Sequence, residues 1–188
     1  QMPTQVSTLT RKNANGQILV SAIPMGEYAN VVNAKDILAL LILQAGGEIT
    51  AYDNEKLVAA IAGSVGASFA ASEKALDFYT SFADPSRESS YTWNRSLPDS
   101  RLAFSSGGAG LYIGYASESS FIKSMNPNLN FSVTKIPQIH NASTTIGVAR
   151  VYGLSVPRTA KAVNSSLAIA YALASTANNP AASTAFAL

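Results

Sequence analysis

The chain has 188 residues, 47% of them hydrophobic and 13% charged, enough apolar material for one sizeable core or two small ones, and it reads as globular. Thirteen basic against eleven acidic side chains leave a formal charge of +2, with no like-charge run that could track a phosphate backbone, which argues against nucleic acid as a partner. The absence of cysteine excludes a disulfide framework and a thiolate metal site, and apolar runs such as Ile37 to Leu43 are far short of the roughly 20 residues a bilayer crossing needs.

In chain order, Asn13-Ala14-Asn15-Gly16 is a turn signal, because Asn and Gly tolerate positive φ, and it predicts a strand over Gln17 to Ile23. Asn33 stands where a helix cap is expected. The apolar positions Ile37, Leu38, Leu41, Ile42 and Ala45 follow at helical spacing, and Gly46-Gly47 supplies the stop. Leu57 to Ala62 and Ser68 to Phe82 read as helices, the second ended by Asp84-Pro85. Ser86 to Ser96 is polar and irregular, with the single tryptophan, Trp93, beside Tyr91 and Asn94; loops of this kind are where binding residues gather.

Pro98-Asp99-Ser100 opens a short helix through Phe104, closed by Gly107-Gly108, and Gly110 to Gly114 reads as a buried strand. A helix over about Ser117 to Met125 stops at Asn126-Pro127, and Phe131 and Val133 alternate in a strand ending at Pro137. Val148 to Val156 is a further strand candidate, followed by a helix over about Lys161 to Ala174 and an alanine-rich end from Ala174 to Leu188. Strands alternating with helices predict an α/β layered domain.

Signals for chemistry are sparse. His140, the single histidine, lies in a polar loop without a carboxylate at helical spacing and reads as a solvent-exposed side chain rather than a ligand or base. Gly107-Gly108-Ala109-Gly110 lacks the Lys-Ser/Thr of a phosphate loop and precedes a strand, so it reads as a helix stop. No Gly-x-Ser-x-Gly elbow is present. Two carboxylates flanking a glycosidic bond are the remaining enzymatic possibility, ranked far below binding. The expectation is therefore no catalytic residue, no metal and no cofactor. Trp93, Tyr91 and Tyr115 are the aromatic candidates for covering the apolar face of a sugar ring, with core or surface packing as the competing reading for each.

The segment Asn30 to Gly47 resembles the helix that follows a ligand-facing loop in family 1 extracellular solute-binding proteins of ABC importers. The resemblance continues, in the same order and approximate spacing, through Ala75 to Pro85, Tyr91 to Asn94, Leu97 to Phe104, Gly110 to Tyr115, Asn126 to Phe131, Ile136 to Gln138 and Val151 to Val156. It runs from roughly residue 5 to residue 175. It implies a type II periplasmic-binding-protein-like α/β fold: a second-lobe-like domain over residues 1–137, then a crossing segment over 138–188 with the strand and helix of an incomplete first lobe. It likewise implies a non-catalytic component that clamps a solute, carbohydrate by analogy, by hinge closure in the full-length protein.

By position in the family pattern, the ligand-binding residues are Asn30, Asn33, Trp93, Asn94, Tyr115, Ser117, Glu118 and Tyr152. Trp93 and Tyr115 would stack on a sugar face, and the asparagines, Ser117 and Glu118 would exchange hydrogen bonds with hydroxyls. Glu118 is also the carboxylate a glycosidase reading would rest on. The implied partners are a small solute and an ABC permease. The implied location is extracellular or periplasmic, with a lipidated N-terminus lying outside this chain. The alternative expectation is a structural or self-assembling protein that reuses such a lobe and covers its apolar face by self-association.

Overall fold

A computed structural model of the chain describes residues 2–61, 67–140 and 144–175. The sequence signals for helices translate well. Ala34–Gln44 forms α2, burying Ala34, Ile37, Leu40 and Ile42, with Leu38 and Leu41 packed partly against the same core. Ala45, expected on the buried side, is exposed. The helix closes through the Gly46 and Gly47 amides, which donate to Leu43 O (3.1 Å) and Ile42 O (2.9 Å), satisfying carbonyls that the helix end leaves free.

Helix α3, Ala67–Thr80, packs against α2 and presents Ala71, Ala75 and Tyr79 to the interior. Helix α4, Ser100–Ser105, is only six residues long and owes its start to Asp99. The Asp99 carboxylate accepts from Arg101 N at 3.0 Å and Leu102 N at 3.2 Å. Asp99→Ala is expected to cost about 1 kcal/mol in urea denaturation, with Asp99→Asn retaining most of it. Helices α5, Glu118–Met125, and α6, Val163–Ala174, lie where periodicity expects them, and a further helix, α1, spans Met2–Leu9.

The strands depart further from expectation. Strand β1, Arg11–Lys12, pairs antiparallel with β2, Ile18–Val20, across the expected turn. The Asn13 carboxamide accepts from Asn15 N at 3.0 Å and Gln17 N at 2.9 Å, so the turn is closed by its own side chain. Residues Leu57–Ala59, expected to begin a helix, instead belong to strand β4, Lys56–Ala59, paired antiparallel with β3, Thr50–Asp53; Ala62 lies outside the described residues. The cause is local: Asn54 and Glu55 adopt φ of 46° and 66°, a two-residue turn that matches strand twist and sets Asp53 opposite Lys56.

Gly110–Gly114 forms no ladder, but Ser21 and Ala109 make a parallel bridge. Ser21 N donates to Gly108 O, Gly110 N to Ser21 O and Leu111 N to Ala22 O, each at 2.9 Å. The segments around Val133 and from Val148 to Val156 are irregular, not strands. Neither has a neighbouring strand among the described residues, and a strand exists only where its backbone groups find partners. The described residues thus combine helices with a few small antiparallel strands, a mixed α/β composition. No described helix is long and apolar enough to cross a membrane.

The described residues fall into two compact units, one drawn from Gln1–Gly114 and Ile122–Val148, the other from Tyr115–Phe121 and Ala149–Leu188; the sequence-based boundary stands between 137 and 138. The first unit holds the apolar core, where Val6, Ile23, Met25, Ile37, Phe82 and Trp93 meet. The second unit contains α6, none of whose residues is buried. Residues 176–188, the greater part of the alanine-rich end, lie outside the described residues.

Candidate solute-binding site

The first four candidate residues lie in the first unit, on two stretches brought together from distant parts of the sequence. Asn30 precedes α2. Its carboxamide donates to Asn94 O (3.0 Å) and Leu97 O (2.9 Å), and its oxygen accepts from the Trp93 indole N–H at 3.0 Å. Asn30, Trp93 and Asn94 are therefore neighbours, joined in a single knot. The Trp93 ring is 1% exposed, so its face packs in the core and offers no platform for stacking. Asn94 folds its oxygen onto Ser96 N (3.0 Å) and Ser96 Oγ (2.7 Å) and donates to the Tyr91 hydroxyl at 3.0 Å.

Asn33 occupies the cap position of α2 but makes no capping bond. Instead its amide donates to the Tyr112 hydroxyl at 3.1 Å and to Ile113 O at 3.4 Å, tying the helix start to the segment after Gly110. A carboxamide has two donor hydrogens and one acceptor oxygen. Both Asn30 hydrogens and the Asn94 oxygen are already engaged inside the protein, so these side chains build the loops rather than project from them.

Thr92, missed as a structural residue in the sequence, is the buried hub beneath this knot. Its hydroxyl lies 2.8 Å from Thr10 Oγ1 and 3.1 Å from Ser21 Oγ, and it accepts from Ala22 N at 2.8 Å. The Thr92 and Trp93 amides both donate to Phe82 O, at 3.0 and 3.1 Å. A buried hydroxyl saturated in this way locks the chain in one arrangement.

The other four candidates lie in the second unit. The Arg150 guanidinium sits over the Tyr115 ring, 4.5 Å from its centroid, so one ring face is covered by a cation–π contact. Glu118 reaches back to accept from Tyr115 N at 3.4 Å, while Glu118 N donates to Tyr115 O at 2.9 Å. This reciprocal pair closes the turn that leads into α5. Ser117 and Tyr152 are exposed. His140, expected to face solvent, is exposed as well.

One concave feature escaped the reading of the sequence. An open groove of about 620 Å³ lies between the end of α3 and the following loop, lined by Phe78, Ser81, Phe82 and Ser86 to Ser90. Phe78 and Phe82 meet edge to face, with centroids 5.2 Å apart and planes at 82°. Arg87 is fixed by Asp77, through Nη1–Oδ2 at 3.0 Å and Nη2–Oδ1 at 2.6 Å, with Asp84 Oδ2 at 3.5 Å from its Nε. The polar run Ser86 to Ser90 was the available signal; its pairing with the Phe78/Phe82 end of a helix was not.

These ion pairs set an acid dependence. The hydrogen bond from Arg87 holds the Asp77 carboxyl below its ordinary value, and the Ser86 hydroxyl, then its amide, does the same for Asp84. A carboxyl depressed in the folded state stabilises above its unfolded pKa and loses that contribution as pH falls through the folded value. Wild type is thus expected to exceed Arg87→Gln in stability near neutral pH, and the difference to shrink as pH falls below 3.8. Urea midpoints measured across that range check this. All three groups are solvent-screened, so the gap is small.

Comparisons with known proteins return no match: no protein-family model fits the chain, and neither a curated protein nor a solved structure is significantly similar to it.

Proposed function

We propose that this chain is the solute-binding part of an ABC importer, non-catalytic, taking a carbohydrate or related polyol outside the cytoplasmic membrane and presenting it to a permease. In the full-length protein it would be membrane-anchored through a lipidated N-terminus and close on its solute by hinge motion. The observation that supports this most directly is the parallel bridge between Ser21 and Ala109. The chain between those residues passes through α2, the β3–β4 hairpin, α3 and α4, so this isolated parallel bridge closes a largely helical connection, the kind of link found in α/β lobes.

On this reading the Asn30–Trp93–Asn94 knot holds the binding loops of the first unit in place. Titration calorimetry against a panel of mono- and disaccharides and sugar alcohols is expected to give saturable heat with at least one of them. A chain shown to be folded by circular dichroism that gives no heat with any sugar sinks the reading.

A self-assembling role is favoured by a separate observation. Leu167, Ile169, Tyr171 and Leu173 of α6 are each at least half exposed, and a helix that is apolar all round is normally covered. Sedimentation at increasing concentration separates the two: a second copy on this face gives a concentration-dependent dimer, and a strict monomer excludes it.

A further inference from the structure

We propose that the groove between the end of α3 and Ser86 to Ser90 is the seat of a neutral polyhydroxylated solute, a sugar or sugar alcohol. This rests on the solute-binding reading above and locates its contact surface in the first unit, at residues 78–90. The volume of about 620 Å³ falls within the range of roughly 300–1,000 Å³ typical of small-ligand sites.

The chemistry of the lining selects the ligand class. Phe78 is partly buried and held edge-on by Phe82, a fixed apolar surface suited to the C–H face of a pyranose ring. Beside it, the Arg87 guanidinium is immobilised by Asp77 and approached by Asp84. Of its five N–H groups, those not spent on these carboxylates remain to donate in a planar fork, which matches the oxygens of adjacent hydroxyls.

Acceptors are supplied by Glu88 and Ser89, both exposed, whose side chains make no hydrogen bond among the described residues. Donors and acceptors therefore stand side by side next to an aromatic ring, the combination a polyol satisfies and an apolar ligand leaves unpaired. Asp77 and Asp84 pair with the Arg87 guanidinium, and Glu88 lines the same groove. The Arg87 charge is thus already matched by its carboxylates, and Glu88 adds a negative charge to the lining, which disfavours phosphorylated or carboxylated sugars.

The test uses the whole chain labelled with nitrogen-15, with maltose, sorbitol and glucose 6-phosphate as probes. Maltose or sorbitol is expected to shift the amides of residues 78–90 saturably, with glucose 6-phosphate much weaker. Glu88→Gln combined with Ser89→Ala, two exposed positions outside the ion pairs, is expected to weaken the affinity about tenfold while leaving the remaining spectrum unchanged. Phe78→Leu, which keeps an apolar side chain, is expected to weaken it as well. Saturable sugar binding with shifts elsewhere, or with undiminished affinity in the double variant, overturns the groove and leaves the solute-binding reading intact. Equal affinity for glucose 6-phosphate overturns the charge argument and with it the assignment. No saturable shift with any probe overturns both.

Discussion

Trp93→Ala is expected to destabilise the first unit by about 3–5 kcal/mol, the range for emptying a buried aromatic site. Two contributions add. The ring is 1% exposed and belongs to the main core cluster, so its removal leaves a cavity whose rigid surroundings collapse only in part. The indole N–H also holds the Asn30 oxygen at 3.0 Å, and without it a polar atom in the knot loses its donor. Urea denaturation followed by far-ultraviolet circular dichroism measures the total, since the variant has no tryptophan to report by fluorescence.

Trp93→Phe divides the two contributions. It retains much of the ring packing and removes the donor, so a loss of about 1–3 kcal/mol is expected. Asn30→Ala should give a comparable loss from the other side, and the double variant less than the sum, because the two residues share one interaction. Sugar affinity offers a second readout. If Trp93 supports the loops without touching solute, Trp93→Phe binds with its affinity nearly unchanged wherever it is folded. A drop of a hundredfold or more in the folded variant would restore Trp93 to the stacking role that its place in the sequence suggested.

That contrast shows which information the sequence carried. The family resemblance put Asn30, Trp93 and Asn94 on one site, and the structure does join the three. Their orientation was not legible. An asparagine or tryptophan in a polar loop can point outward or hydrogen-bond inward, and only the tertiary partners, here the Asn94 and Leu97 carbonyls for Asn30 and the Asn30 oxygen for Trp93, decide. The helices were legible because their signals are local: the Ile37, Leu38, Leu41, Ile42 spacing marks α2, and Asp99 after Pro98 marks the start of α4. Strand expectations depended on neighbours. Val148 to Val156 has strand-forming residues, yet Val151 is 87% exposed without a ladder. At Leu57 the misreading was of turn chemistry, because a helix-compatible Leu-Val-Ala-Ala run hid the Asn54-Glu55 turn that commits it to a hairpin. The groove could not be read at all, since it exists only once the Ser86 to Ser90 loop folds against the end of α3.

Gly26→Ala is expected to be the other severe substitution, costing about 3 kcal/mol or more, with a large fall in thermal midpoint. Gly26 adopts φ of +96°, which by itself strains any other residue, and a Cβ built there stands 2.5 Å from Ala83 N and 2.7 Å from Ala83 Cβ. The obstruction is largely backbone, so no rotamer change relieves it; the Phe82–Ala83 segment would have to move. That segment cannot shift freely. Phe82 O accepts from both Thr92 N and Trp93 N, and Thr92 in turn holds Thr10, Ser21 and Ala22. Displacing Ala83 therefore pulls on the hub that positions the binding loops. Gly16→Ala is the control: its φ is +76° but its added Cβ meets nothing within 4 Å, so only the backbone term of about 1–2 kcal/mol applies. Paired denaturation curves of the two variants separate conformational strain from steric exclusion, and a Gly26→Ala loss no larger than that of Gly16→Ala would show that residues 82–83 yield to the added methyl group. In that event the Thr92 hub would be softer than its saturated hydrogen bonding implies, and Thr92→Val, which removes the hydroxyl without changing the shape, should then cost little as well.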